Sequence, residues 1–440
     1  MNLPFWLTKL LIRTRVARWI PALRRQAAGA EHHWHHFSDR VLASPRHELL
    51  TFASFRDAHG PNAIDFTFSA PRFEVVPSLH SRQPTERRGT PPAWGMTELR
   101  QAISERIAAD SGPAVRADDG VLITHGASGA FSNIADAFVN PGNRVVVLDP
   151  CSPLFPLMLQ QRRARIVHVP AWTENGLIRF QFPELARALC GAKLMVFANP
   201  CNPTGGSWSP EDLEQLAWWA NRHDVLLCQD DTFASYLDDT NGRRLHAFQH
   251  ATSRTLMLGS VSASHALASA RVGWLTGPAP LVGACALTQH LTMPFVPLVS
   301  QLLAIAALRL NHATMAGIRA EFASTRRYAI ERLTAMRLHP ASASGGYFLW
   351  VPVHEFGVSG REFAEQLLRA KKVLVTPGEV FGPGGVPFIR LSLAGDEGRL
   401  REGLNRLATF VEETRPKAPV APPPLPVARL APEEQTVHAA

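Results

Sequence analysis

The chain has 440 residues and a formal net charge of +8, from 45 Lys and Arg against 37 Asp and Glu. With 46% hydrophobic and 19% charged residues, it carries enough apolar surface to offset the entropy of folding, which excludes an unstructured polypeptide over most of its length. Its length exceeds the roughly 250 to 300 residues at which a single core stops growing, so two packed domains are expected.

Taken in chain order, residues 1 to 60 read as a basic leader and helix. Within residues 1 to 50, eight Lys and Arg stand against Glu31, Asp39 and Glu48, a net of +5. Most of the excess charge belongs to this leader, which argues against a basic folded face for nucleic acid. Apolar residues from Phe5 to Ile20 alternate with arginines until Pro21 interrupts them. That pattern predicts a terminal helix docked on the body or on a partner subunit, with peripheral contact to an anionic membrane as the alternative. Arginines break the apolar run that a signal peptide would need, and no stretch is long and apolar enough to span a bilayer. The tract His32-His33-Trp34-His35-His36 lacks a second ligand set, so it reads as an exposed loop and no metal site is expected.

From about Ile64 to Arg415, short β-rich runs alternate with helical stretches. Residues 144–148, 164–169, 194–198 and 225–228 are near-continuous apolar strands, which predicts a mostly parallel sheet covered by helices on both faces. Helical patterns over 300–337 and 361–371 flank two more strands, 347–350 and 388–391, which predicts a smaller α+β domain. The expected division is a large α/β domain over 61–305, a small C-terminal domain over 306–414, and a disordered tail over 415–440, where seven prolines fall. Five cysteines, at positions 151, 190, 201, 228 and 285, form no CxxC pair. A disulfide scaffold and a zinc ribbon are excluded, and a reducing cytoplasm is expected.

The most specific motif is Asn199-Pro200-Cys201-Asn202-Pro203-Thr204-Gly205-Gly206, directly after a strand. Two prolines fix the loop while asparagine amides stand above the C-terminal edge of the sheet, where ligands of open α/β folds bind. With this octapeptide the chain resembles the class I/II aminotransferases, the fold type I enzymes that use pyridoxal phosphate. The resemblance spans roughly Ile64 to Leu407. It implies a mostly parallel sheet flanked by helices, plus a smaller α+β domain.

Residue by residue, Ile123 to Ala130 resembles the strand-to-helix turn whose N–H groups at Ala127, Ser128 and Gly129 hold the cofactor phosphate, and a helix N-terminus is suited to an anion. Asp230 matches the aspartate that pairs with the pyridine nitrogen and keeps the ring protonated. Asn202 would bond the phenolic oxygen, Ser260, Ser262 and Arg271 would lie at the phosphate, and Arg390 matches the arginine that forks onto a substrate carboxylate.

Around that frame the chain departs from the family. The Schiff-base lysine falls eight residues before Arg271, at Ala263. An alternative frame puts His265 in that slot, two residues closer to Arg271, as a substitute base; the first frame is preferred. Lys9, Lys193, Lys371, Lys372 and Lys417 are the full set of lysines, and none lies in this segment. Ser152 stands where an aromatic ring usually covers the cofactor, Phe233 where a tyrosine meets the phenolic oxygen, and Thr90 where a tyrosine reaches the partner subunit's phosphate. The resemblance therefore implies non-covalent pyridoxal phosphate, an α-amino acid or 2-oxo acid substrate and a homodimer, with ordinary transamination impaired. The sequence leaves open two others: a non-catalytic scaffold or regulatory subunit, with a heterodimer with a lysine-bearing paralogue as one form, and a lyase with a non-lysine base.

Overall fold

The computed structural model describes residues 62–67, 89–109, 114–237, 250–310 and 312–416. The leader, the His32–His36 tract and all of the proline-rich tail beyond Pro416 lie outside them. The chain begins with β1 (Ile64–Asp65) and α1 (Thr97–Ala109), then alternates through β2 (Val121–Thr124), α2 (Gly126–Phe138), β3 (Arg144–Asp149), α3 (Leu154–Gln161), β4 (Arg165–Glu174) and β5 (Leu177–Phe180). It continues with α4 (Phe182–Leu189), β6 (Leu194–Ala198), α5 (Pro210–His223), β7 (Leu226–Asp230), β8 (Thr255–Ser260) and the single turn α6 (Val261–Ser264). Next come β9 (Gly273–Thr276), α7 (Ala279–Thr292), α8 (Leu298–Leu308), α9 (His312–Ala335) and β10 (Phe348–Pro352). The C-terminal part holds α10 (Gly360–Lys371), β11 (Val373–Leu374), β12 (Thr376–Pro377), β13 (Phe388–Ser392) and α11 (Glu397–Thr414).

Eight strands form one sheet in the order β2-β9-β8-β7-β6-β3-β4-β5. The five from β4 across to β8 are parallel, as the apolar runs predict, while β9 is antiparallel to both its neighbours and β5 returns antiparallel along β4. Both faces are covered, and the alternation along β3 shows how. Val146 and Leu148 pack with Leu185, Leu213 and Leu216 of α4 and α5, whereas Val145 and Val147 pack with Phe131, Phe155 and Val282 of α2, α3 and α7.

The three-stranded sheet β10-β13-β12 carries its own core with α9, α10 and α11, built on Leu349, Val351, Phe363, Leu367, Leu404 and Leu407. Ser359 caps α10 in a reciprocal pair with Glu362. Ile64 and Asp65 pair in parallel with Val373 and Leu374, and the carbonyl of Phe66 accepts from the Ser392 N–H at 2.8 Å, so this early segment lies with the C-terminal strands. Among the described residues no helix is long and apolar enough to cross a membrane.

One side chain ties the sheet core to the Asn-Pro loop. Trp208 is 1% exposed, with its ring 4.8 Å from Phe197 and 5.1 Å from Phe180, and its backbone N–H donates to Asn199 Oδ1 at 3.1 Å. Trp208→Ala is expected to cost about 3–5 kcal/mol, read as a lower urea midpoint.

Candidate active site

In the large sheet β4 lies on one side of β3, while the chain then crosses to place β6, β7 and β8 on the other. Such a reversal opens a crevice at the carboxyl ends of the strands. Asp149 ends β3, Asn199 follows β6, Asp230 ends β7 and Ser260 ends β8, so four segments singled out by sequence meet at one edge. The Asn199 N–H extends the ladder by donating to the Asp230 carbonyl at 3.0 Å. On its far side the Asn-Pro loop is held through Gly205, whose carbonyl accepts from Ser344 and Gly345, each at 3.0 Å.

At one end of the edge a helix N-terminus lies beside a guanidinium, a setting suited to an anion. Ala127, Ser128 and Gly129 form the first turn of α2, which has no acidic residue in that turn. Arg271, exposed and at φ 54°, points Nη2 toward Ser128 Oγ at 3.4 Å and Nη1 toward Ser262 Oγ at 3.5 Å. Gly126 has φ +73°, and a Cβ there would lie 2.6 Å from Arg271 Nη2, so only glycine lets the guanidinium approach the helix end. Of the two candidate serines, Ser262 shares this setting. Ser260 instead caps α6, accepting from the Ser262 N–H at 3.1 Å and donating to the Val272 carbonyl at 3.0 Å.

At the centre stands Asp230, 7% exposed. Its Oδ1 accepts from the Thr232 N–H at 2.9 Å and from the Thr232 hydroxyl, and no cation pairs with it among the described residues. Burial raises its carboxyl to about 6, only partly opposed by the Thr232 hydrogen bonds. A buried carboxylate without a cation suits a protonated ring nitrogen. Together with the Arg271 end, these residues fit pyridoxal phosphate.

Facing that edge from the three-stranded sheet, Arg390 of β13 is 4% exposed, with its guanidinium carbon 4.2 Å from the Phe348 ring centre and 4.7 Å from that of Phe381. Nη1 donates to Asn202 Oδ1 at 2.9 Å and Nη2 to the Thr67 carbonyl at 3.2 Å. Burial lowers its pKa to about 9, and no carboxylate pairs with it among the described residues. An unpaired buried guanidinium is a site for an anion.

Between these groups, Ala263 is 3% exposed and packs with Phe233, Tyr236, Tyr347 and Phe348. Phe233 presents its edge to Phe348 at 5.2 Å and Tyr347 at 5.5 Å. The Tyr236 hydroxyl donates to the Ala263 carbonyl at 2.7 Å. Lys193 precedes β6 at the opposite edge of the sheet, Lys371 pairs with Glu413 at 2.7 Å, and Lys372 is exposed after α10. His265 is buried, with Nδ1 2.8 Å from Ser264 Oγ. It lines a cavity with Arg106, Asp231, Ser235 and Trp274, and none of Asn202, Asp230, Arg271 or Arg390 lines that cavity. Ser152 is half-buried in the turn before α3, and Thr90 is exposed ahead of α1.

Sequence reasoning passed over Tyr236 and the Thr67 carbonyl. Tyrosine occurs three times in the chain, and two of the three, Tyr236 and Tyr347, share one core cluster with Ala263; that scarcity was a usable signal. The carbonyl has no sequence signature.

The raised Asp230 pKa carries a sign. The folded state holds this proton more tightly than the unfolded chain, so the group's favourable contribution is present at low pH and is lost as pH rises through about 6. Without added cofactor, Asp230→Asn is therefore expected to match the native protein at low pH and to exceed it above about pH 6, by on the order of 2 kcal/mol. Denaturant midpoints across pH check this.

Residues 62–407 match the family model for aminotransferase class I and II. The chain is 33% identical over 324 residues to the arginine–pyruvate transaminase AruH of Pseudomonas aeruginosa, covering 72% of this chain and 81% of that one. It is 28% identical over 324 residues to the LL-diaminopimelate aminotransferase of Dehalococcoides mccartyi, covering 73% and 82% respectively. Among solved structures, the aspartate aminotransferase from Thermus thermophilus with maleate is similar at a TM-score of 0.79 and 25% identity, over 85% of this chain and 99% of that one. A helix N-terminus beside Arg271, a buried carboxylate and a buried guanidinium near the sheet's switch point agree with these likenesses: the chain belongs to the aminotransferase class I and II family, whose members depend on pyridoxal phosphate.

Proposed function

We propose that this chain binds pyridoxal phosphate without a covalent link and receives an α-amino acid or its 2-oxo acid beside it, with ordinary transamination disabled at Ala263. The observation that carries the reading is a set of unneutralised charges, Arg271 and Asp230 at the carboxyl edge of the large sheet and Arg390, which reaches Asn202 of the loop at that edge from the small sheet. A phosphate, a protonated ring nitrogen and a carboxylate are the complements of these three groups, in that order.

When bound, the cofactor supplies a sink for the electrons of a substrate carbanion. The chain's residues do the rest. Arg271, Ser128, Ser262 and the first N–H groups of α2 hold the phosphate. Asp230 keeps a proton on the ring nitrogen. Asn202, whose oxygen is engaged by Arg390, would offer its amide N–H groups to the phenolic oxygen. Arg390 takes the substrate carboxylate with its planar fork. Phe233 and Ser152 leave the hydroxyl and ring positions of the family unfilled.

Proton transfer is the missing function. Alanine cannot take or return a proton, and the nearby Tyr236 hydroxyl is made less acidic by burial and donates to a carbonyl. His265 lies in the neighbouring cavity, so the lyase reading lacks a base beside Asp230. The aromatic packing over Ala263 supports the second reading, a non-catalytic subunit paired with a lysine-bearing paralogue. We also propose a homodimer, supported by exposed Leu287, Leu291, Met293, Phe295 and Val299 on one stretch of α7 and α8, in a reducing compartment, supported by five free thiols.

Protein purified with added pyridoxal phosphate and then desalted is expected to retain the cofactor's absorbance, and borohydride is expected to add no mass to the chain. Ala263→Lys is expected to gain a borohydride-fixed adduct. Complete loss of cofactor on desalting would overturn binding, and an adduct on the unaltered chain would overturn the lysine-free assignment. Arg271→Ala is expected to weaken retention by roughly tenfold or more, the scale of one charged hydrogen-bonding group, as read by equilibrium dialysis.

A further inference from the structure

We propose that Asp149 is a positioning residue for Arg390: it clamps the glycine turn that carries Phe381, and Phe381 is one of the two rings between which the guanidinium lies. The proposal rests on the reading of Arg390 as the carboxylate-binding group.

Two hydrogen bonds join the end of β3 to this turn. Asp149 Oδ2 accepts from the Gly384 N–H at 2.9 Å, and the Cys151 N–H donates to the Phe381 carbonyl at 2.9 Å. The fit is close on both sides. A Cβ at Gly382, where φ is +132°, would lie 2.1 Å from Asp149 Oδ1, and one at Gly384 would lie 3.2 Å from Oδ2. The carboxylate thus presses against a turn that only glycine lets approach. The turn is closed internally by Gly385 N–H to the Gly382 carbonyl at 3.0 Å.

Phe381 stands directly before the clamped glycines, 4.7 Å from the Arg390 guanidinium on one side and 5.6 Å from Trp350 on the other. Arg390 has only Asn202 and the Thr67 carbonyl as polar partners among the described residues, so its orientation depends on the rings about it. A shift of the turn moves one wall of the guanidinium, and small misplacements of a binding group carry large costs.

The clamp also titrates. Asp149 is 3% exposed, its Oδ1 has no hydrogen-bond partner among the described residues, and burial raises its carboxyl to about 6. The ionisable group that interacts with it is the Cys151 thiol, pushed far up by burial and by Asp149, while Glu379 on the turn, raised by burial, is turned to the Arg361 N–H. Ionised Asp149 grips the Gly384 N–H more firmly than the neutral acid does. The clamp is therefore tighter above about pH 6 than below it.

The test is calorimetric titration of the full chain with pyruvate, which stays ionised throughout, on either side of about pH 6. In the unaltered protein, affinity is expected to strengthen as pH rises. Asp149→Ala is expected to lose affinity on the order of tenfold together with the pH step. Asp149→Asn, which keeps the shape and an acceptor oxygen, is expected to recover most of the affinity but not the step. An Asn variant that retains the step, or an Ala variant with native affinity and step, overturns the proposal. Pyruvate binding that survives Arg390→Met overturns instead the reading of Arg390 on which it rests.

Discussion

The guanidinium of Arg390 and the carboxylate of Asp230 are buried near one sheet edge, and neither has a partner of opposite charge among the described residues. Removing an ion from water costs several kcal/mol even after relaxation, so both positions are held against a standing electrostatic penalty. The surrounding structure explains how. Aromatic faces and two neutral oxygens partly replace water around Arg390, and Thr232 does so around Asp230. A zwitterionic or anionic ligand relieves the penalty; a neutral apolar one leaves it in place. That asymmetry narrows the chemistry of the crevice before any substrate is named.

The turn that carries Ala263 shows the same economy of means. The backbone around Ala263 is anchored by its neighbours: Ser260 caps the turn, Ser264 returns a hydrogen bond to the Ser260 carbonyl at 2.7 Å, and Tyr236 binds the Ala263 carbonyl. The scaffold for a reactive group and the group itself are separable, because one is made by backbone hydrogen bonds and the other by a side chain.

Much of the fold was legible because its strands are continuous apolar runs, as in β3 and β6, and burial on both faces leaves little else they can be. The antiparallel course of β9 was not, since its four residues look like any short buried strand and their direction is set by how the chain reaches β2 and β8 in space. The helical stretch over 300–337 divides into α8 and α9, a break with no proline or glycine to announce it. At the candidate site, Asn202, Asp230 and Arg390 were singled out through the motifs that resemble the family's. The bond between Asn202 and Arg390 spans 188 positions, and that of Arg390 to Thr67 spans 323. Such contacts come from the closure of the tertiary fold, which local pattern does not encode. The choice between Ser260 and Ser262 likewise depends on which hydroxyl caps α6, a matter of rotamer.

The position of β2 in the sheet has a consequence for how the molecule is made. Its sole hydrogen-bonded neighbour among the described strands is β9, which leaves the ribosome long after β2 does, once the intervening strands of the sheet have emerged. The parallel centre can assemble strand by strand during synthesis, but β2 and the α1 and α2 helices on either side of it wait with apolar faces uncovered. Closing so distant a pairing is slow, and exposed strand edges invite association with the wrong partner. The start of α2, where Arg271 faces Ser128, is therefore among the last parts of the crevice to be completed, and a nascent chain stalled before Gly273 has the central strands of its sheet but not the strand that seats β2.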